Sequence, residues 1–222
     1  MKIAILTQEK YTEYAENLFC LDTEIFYDHK SYMFSWYAYD LVISILYNKI
    51  VKNNEFDIPK YGTINIHPST LPYHRGSAPN FWAVLCGYGA GWTAHRMTSE
   101  IDRGDIYLQR EVPVLLSDTA ETLWNRLFDE LPSFLSELAE IVSSGNLTAL
   151  DVAQDVSTVN KMNDFHDAHE FDNALQGMND DQRYGAYTVM NLIQACSFTE
   201  YEGFIMDTPD GRVEFTARKL DD

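Results

Sequence analysis

Basic side chains are scarce in this chain. Sixteen lysines and arginines stand against 34 aspartates and glutamates, a net charge of −18 over 222 residues. Nucleic-acid binding needs a basic face to neutralise phosphates, and the sequence offers no basic cluster. Residues 1–150 hold 11 basic and 19 acidic side chains, and residues 151–222 hold 5 and 15, so the two parts carry −8 and −10. Acidity of this kind belongs to a well-solvated surface. Cysteine is scarce too. Cys20, Cys86 and Cys196 are odd in number and far apart, which excludes a disulfide framework and points to a reducing compartment. No apolar run approaches the length of a membrane span, and Met1 to Leu6 is too short for a signal peptide. A cytoplasmic protein with no membrane partner is expected. Glycine is missing from Thr7-Gln8-Glu9-Lys10-Tyr11-Thr12, the junction after the first strand, where NAD or FAD binding needs Gly-x-Gly-x-x-Gly.

Apolar content is ordinary and aromatic residues reach 14%, enough for a sizeable core. Lys2 to Thr7 and Asp40 to Leu46 read as buried strands, Thr23 to Tyr27 as a short one, and Gln8 to Leu18 as a helix. Pro79 opens a helix that Gly87, Gly89 and Gly91 end. Trp92 to Met97 and Asp105 to Val112 alternate like a strand pair. Asp118 with Glu121 resembles a capping box, followed by helical spacing from Leu123 through Leu131 to Ile141, with Pro132 as a kink or break and Gly145 as the stop. Residues 151–183 are polar and acidic, with a short helix expected at 167–176. Residues 191–198 read as the end of a helix. Tyr201 to Met206 and Arg212 to Thr216 read as a hairpin through Pro209-Asp210-Gly211.

The chain is organised around residues 63–109. Thr63-Ile64-Asn65-Ile66-His67-Pro68-Ser69 alternates as a strand, with Ile64 and Ile66 toward a core and Asn65 and His67 on the other face. Pro68 ends that strand, so His67 lies at its carboxyl end, where open α/β sheets bind ligands. Asp102 follows on a glycine-containing turn. An amide, an imidazole and a carboxylate suit a reaction with one oxyanion to stabilise and one proton to move.

Asn65-x-His67-Pro68-Ser69-x-Leu71-Pro72, then Arg75-Gly76-x-x-Pro79, then Ile101-Asp102-x-Gly104-Asp105-Ile106, resembles the signature of the folate-dependent formyltransferases. The resemblance is specific over about residues 40–142 and looser elsewhere. It implies transfer of a formyl group from N10-formyltetrahydrofolate to an amine, with Asn65, His67 and Asp102 as the catalytic trio. Asn65 would donate to the oxyanion, and His67, if protonated, would donate as well. Asp102 would orient His67 or a water and raise the histidine pKa. The resemblance further implies that Tyr47, Lys49, Ile50 and Val51 line the donor's pterin pocket, with Asp102 also facing the donor. The family usually has one further strand–helix unit before Asn-x-His, which this chain lacks.

The fold implied is α/β: an abridged Rossmann-like open sheet with flanking helices over residues 1–145, and a small C-terminal helix-and-hairpin appendage over residues 146–222. Ser77-Ala78-Pro79-Asn80-Phe81-Trp82, the tail hairpin and the acid balance are most similar to the nucleotide-linked amino-sugar N-formyltransferases. The acceptor is then a small molecule, a nucleotide-sugar, with His74, Arg75 and Arg103 as its cationic contacts. The rival readings are a formyltransferase of purine synthesis, one of the methionyl-tRNA type, and a non-catalytic folate- or sugar-binding module. No metal is expected. His95, Asp102 and Asp105 with His67 could be arranged around zinc, but the formyl-transfer signature already accounts for Asn65, a poor zinc ligand. His166 and His169 read as solvated surface. Phe198, Tyr201 and Phe204, if exposed, would form a homodimer surface.

Overall fold

A computed structural model describes residues 1–18, 22–52, 54–154, 159–160, 186–198, 203–208 and 211–217. The expected helix at 167–176, His166, His169 and Tyr201 lie outside them. In chain order come β1 (Lys2–Leu6), α1 (Thr12–Ala15), β2 (Asp22–Phe26), β3 (Leu41–Ile45), β4 (Thr63–His67), β5 (Arg75–Gly76) and α2 (Pro79–Cys86). Then come β6 (Gly91–Arg96), β7 (Ile106–Glu111), α3 (Ala120–Ser144), β8 (Val159–Asn160), α4 (Ala186–Cys196), β9 (Phe204–Thr208) and β10 (Gly211–Phe215). None of the described helices is long and apolar enough to cross a membrane.

Six strands form one sheet in the order β2-β1-β3-β4-β6-β7. The first four run parallel, β6 runs antiparallel to β4, and β7 runs antiparallel to β6. The order reverses between β1 and β3, a switch point of the kind beside which open α/β sheets hold ligands. Parallel strands are covered on both faces, and β3 is buried along its whole length. On one face Ile3, Ile5, Ile43 and Ile64 pack with Leu123, Leu127 and Leu131 of α3. On the other, Ala4, Leu6 and Val42 meet Phe34, Trp36 and Tyr39. Those rings come from the β2–β3 connection, which holds only one 3-10 turn, Trp36–Ala38. Aromatic packing covers that face of the sheet.

Three expectations need correction. Residues 8–18 do not form one helix: α1 has 3-10 turns on both sides, Glu9–Tyr11 and Glu16–Leu18. The Asn17 amide donates to the Tyr14 carbonyl there, a local bond that competes with helix continuation. Helix α3 continues through Pro132 rather than ending, because its apolar face is buried on both sides of the proline. Its N-cap is Thr119, one residue later than expected: Thr119 Oγ1 accepts from Thr122 N at 3.1 Å and Thr122 Oγ1 from Thr119 N at 2.9 Å. Asp118 instead accepts from Leu115 N and the Arg126 guanidinium.

The hairpin appears as β9 and β10, with Phe204 paired to Phe215. Phe204 is 1% exposed and Phe198 half-buried, so Phe204 is core rather than the dimer surface considered from sequence. Thr119→Ala removes the observed cap, and urea denaturation should show a loss of about 1 kcal/mol. An unchanged midpoint would return the capping role to Asp118.

Candidate functional site

Strand register builds the site. Ser44 of β3 lies beside Asn65 of β4, and Asn65 lies opposite His95 of β6. Residues in register share a face, so three polar side chains form a row across three strands. Ser44 Oγ donates to Asn65 Oδ1 at 3.0 Å, which assigns the Asn65 NH2 to the other side, 3.3 Å from His95 Nε2. The β6–β7 register shifts between Ala94 and His95, an irregularity of the sort that re-aims a side chain near active sites. His95 Nδ1 donates to the Arg96 carbonyl at 3.0 Å, so only Nε2 faces the site. With a proton on Nε2 the ring donates to Asp102; without one it accepts from Asn65.

Asp102 arrives from the turn before β7 with φ of 47°. Its Oδ2 accepts from the Gly76 N–H at 2.8 Å and lies 3.6 Å from His67 Nδ1. Its Oδ1 lies 3.4 Å from His95 Nε2. Two motif glycines make the approach possible. A Cβ on Gly104 would stand 1.9 Å from the Arg96 carbonyl oxygen, and one on Gly76 2.2 Å from that of Asn160. Burial by itself would push the Asp102 carboxyl up, but the facing imidazoles and the Gly76 N–H hold it below the usual carboxylate range.

His67 is 5% exposed. Its Nε2 donates to the His74 carbonyl at 3.0 Å. Burial lowers its pKa, and the opposing pull of Asp102 is the smaller effect. Burial thus favours the neutral ring, with its proton on Nε2 and Nδ1 bare toward Asp102, which decides the protonation the sequence left open. It is arranged as a base beside a carboxylate that would stabilise the charge after proton capture.

The remaining expected residues divide. His74 is buried and donates from Nε2 to the Tyr88 carbonyl at 2.8 Å, holding two loops together. Arg75 is 2% exposed and donates to Gln154 Oε1 at 2.8 Å, so it is not the open loop cation expected from sequence. Arg103 is exposed and paired with Glu100 at 2.8 Å. Tyr47 is half-buried, Lys49 pairs with Asp28 at 2.9 Å, Ile50 is 87% exposed, and Val51 packs against the second cluster. No group of three or more His, Cys, Asp or Glu able to hold a metal ion occurs among the described residues.

Sequence reasoning missed three contributors. His95 was considered only as a metal ligand, though a hairpin register would have set it opposite Asn65. Ser44 was visible as the lone polar residue in Leu41-Val42-Ile43-Ser44-Ile45. Gln154 gave no signal. It accepts from Arg75 and donates to the Gly104 carbonyl at 3.3 Å, tying the Arg-Gly and Asp-x-Gly blocks together.

A parallel-centred sheet carrying an amide, two imidazoles and a carboxylate at its ligand-binding edge defines a class of group-transfer site. Residues 28–138, half the chain, match the Formyl transferase family, and the chain belongs to that family. The methionyl-tRNA formyltransferase of Ehrlichia canis (strain Jake) is 38% identical over 129 residues, covering 57% of this chain and 42% of that protein. The chain thus spans less than half the length of such curated relatives. A 4-N formyltransferase from Francisella tularensis shares the fold at a TM-score of 0.78 and 18% identity, over 100% of this chain and 98% of that one. PseJ from Anoxybacillus kamchatkensis, solved in complex with UDP-4,6-dideoxy-4-formamido-L-AltNAc and tetrahydrofolate, matches at a TM-score of 0.64 and 25% identity, over 74% and 88% of the two chains.

Burial lowers the pKa of both His67 and His74 from 6.5. Below 6.5 the unfolded chain therefore binds more protons than the folded one, and stability falls as pH drops from that value through the folded pKa values. Asp102 acts in a lower window: its contribution is present above 3.8 and lost as pH falls through its depressed folded pKa. Urea denaturation at pH 7.5 and pH 5.5 should show the loss, and His67→Gln should reduce the difference. A larger pH dependence in the variant would contradict a neutral buried His67.

Proposed function

We propose that the chain transfers the formyl group of N10-formyltetrahydrofolate to the amine of a nucleotide-linked amino sugar. The carrying observation is the convergence of Asn65, His67, His95 and Asp102 on one face of β4 and β6. In this reading the amine nitrogen attacks the formyl carbon, forming a C–N bond. Asn65 offers its amide N–H to the oxyanion. The proton leaving the amine goes to the bare Nδ1 of His67, with Asp102 stabilising the imidazolium. The bond from the formyl carbon to N10 then breaks and the proton passes to N10, leaving tetrahydrofolate and a formamide. Residues 1–145 supply the chemistry, and residues 146–222 form the appendage that sends Gln154 to the site.

The donor lies along Tyr47, Lys49, Ile50 and Val51 in this reading, at the carboxyl end of β3 beside the switch point. Of the cations expected to meet the acceptor's phosphates, Arg103 is the accessible one. A net charge of −18 disfavours a polynucleotide acceptor and supports a small one. Likeness to PseJ, solved with a UDP-linked formamido sugar and tetrahydrofolate, points the same way. A methionyl-tRNA acceptor is the second reading, favoured by the 38% identity over the catalytic part.

His67→Asn should lower kcat by roughly two to four orders of magnitude, the scale of a lost acid–base group, without loss of fold. The acceptor is decided by offering N10-formyltetrahydrofolate with nucleotide-linked amino sugars and, separately, methionyl-tRNA. Formylation of tRNA alone would replace the first reading by the second.

A further inference from the structure

The loop at the carboxyl end of β3 has its own support, supplied from outside the catalytic blocks. Residues 46–52 leave β3 at the switch point of the sheet. Leu46 stands at φ of 50°, and its carbonyl accepts from Gln8 Nε2 at 2.5 Å. The next side chain, Tyr47, is gripped from the β2–β3 connection. Its hydroxyl oxygen accepts from the His29 backbone N–H at 2.9 Å, and the same hydroxyl lies 2.7 Å from His29 Nδ1. The other ring nitrogen, Nε2, faces the Glu55 carboxylate at 3.8 Å, which favours the proton there and leaves Nδ1 to accept from the tyrosine hydroxyl.

That ring is buried between Trp36, at 6.0 Å between centroids, and Tyr47, at 5.7 Å. Burial lowers its pKa and keeps it neutral. Its Nε2 is buried with no hydrogen-bond partner, 3.8 Å from Glu55 Oε2. Glu55 in turn accepts from the Lys52 N–H at 2.8 Å, at the far end of the same loop. Asp28, the neighbour of His29, pairs with Lys49 at 2.9 Å. The pair Asp28–His29 thus touches the loop at Tyr47 and Lys49 and faces Glu55, which holds the loop at Lys52.

We infer that His29 is a positioning residue for the formyl donor: through the Tyr47 hydroxyl it sets the 46–52 loop against which the folate's ring system binds. The inference rests on the donor reading given above. It assigns a function to the β2–β3 connection, whose aromatic residues cover one face of the sheet. The acceptor and the catalytic groups at β4 and β6 do not depend on His29.

The probe is folinic acid, with affinity measured by titration calorimetry and steady-state kinetics run with each substrate varied in turn. His29→Leu and Tyr47→Phe should each weaken folinic acid binding about tenfold, the size of one lost buried hydrogen bond. Each should raise the KM for N10-formyltetrahydrofolate similarly, and leave the acceptor's KM and the kcat at saturating donor within about twofold. The double variant should be no worse than Tyr47→Phe, which already removes the bond to Nδ1 along with that from the His29 backbone N–H. His29→Asn, whose amide oxygen can take the place of Nδ1, should restore binding to within about twofold. Should His29→Leu fail to fold, Tyr47→Phe and His29→Asn still decide the matter. Unchanged donor affinity in Tyr47→Phe, additive effects in the double variant, or a change confined to kcat would overturn the inference while leaving the donor reading intact. Failure of the unaltered protein to bind folinic acid or to turn over the donor would overturn both.

Discussion

A carboxylate taken out of water must be met by donors, and the placement of Asp102 governs much of what surrounds it. Removing one partner of a buried charge costs several kcal/mol, roughly 3 to 5 where the remaining charge stays buried. The fold meets Asp102 from three directions: the Gly76 N–H donates to it, His95 Nε2 donates when it carries a proton, and His67 Nδ1 stands 3.6 Å away, where a captured proton would lie. Each direction imposes a constraint elsewhere. The Gly76 backbone approaches only because no Cβ intervenes against Asn160, and the turn carrying Asp102 sits close only because Gly104 lies against the Arg96 carbonyl. The motif glycines are thus steric conditions for an electrostatic arrangement.

The second constraint is strand register. A one-residue slip between β3 and β4 would exchange Ser44 and Asn65 with isoleucines and place polar groups in the core. Ile43, Ile45, Ile64 and Ile66, all buried, pin that register. The apolar half of β4 therefore does chemical work at one remove, since packing on one face aligns Ser44, Asn65 and His95 on the other. Hydrophobic burial at roughly 25 cal/mol per Å2 outweighs any single bond in the polar row.

Legibility in the sequence followed the range of the interaction. Period-two alternation in Thr63 to His67 and the apolar run before Leu46 depend on local pattern, and both strands were found within a residue of their observed ends. Asn65, His67 and Asp102 were found through motif spacing, and the structure brings them together. Burial was harder to read. Arg75 looked like a loop cation, yet residues some eighty positions away cover it, and Gln154 carries no pattern that announces the contact. The protonation of His67 was left open for the same reason. A neighbouring carboxylate can be inferred from the sequence, whereas the desolvation that outweighs it arises only when the loop around His74 closes over the ring. The cap of α3 shifted by one residue because Asp118 and Thr119 are both competent, and the choice was made by Arg126, two helical turns on, taking Asp118.

Backbone strain gathers in the loops around this site. The non-glycine residues with positive φ among those described are Leu46, His74, Ala78 and Asp102, and all leave or approach the carboxyl ends of the central strands. Left-handed backbone costs roughly 1 to 2 kcal/mol per residue. Bonds tied to the site offset part of it. The Leu46 carbonyl takes Gln8, the His74 carbonyl takes His67, and the Asp102 carboxylate takes Gly76. Ala78 lies next to Pro79, and its carbonyl accepts from Trp82 N at the start of α2. Strain held by over-determining contacts means that these groups have little room to relax. For the proposed reaction, reorganisation is then small, because the groups facing Asn65 and His67 are already set. An electrostatic site gains most when its dipoles are fixed before the charge develops, and here the fixing is done by backbone conformations that would relax elsewhere in an unconstrained chain.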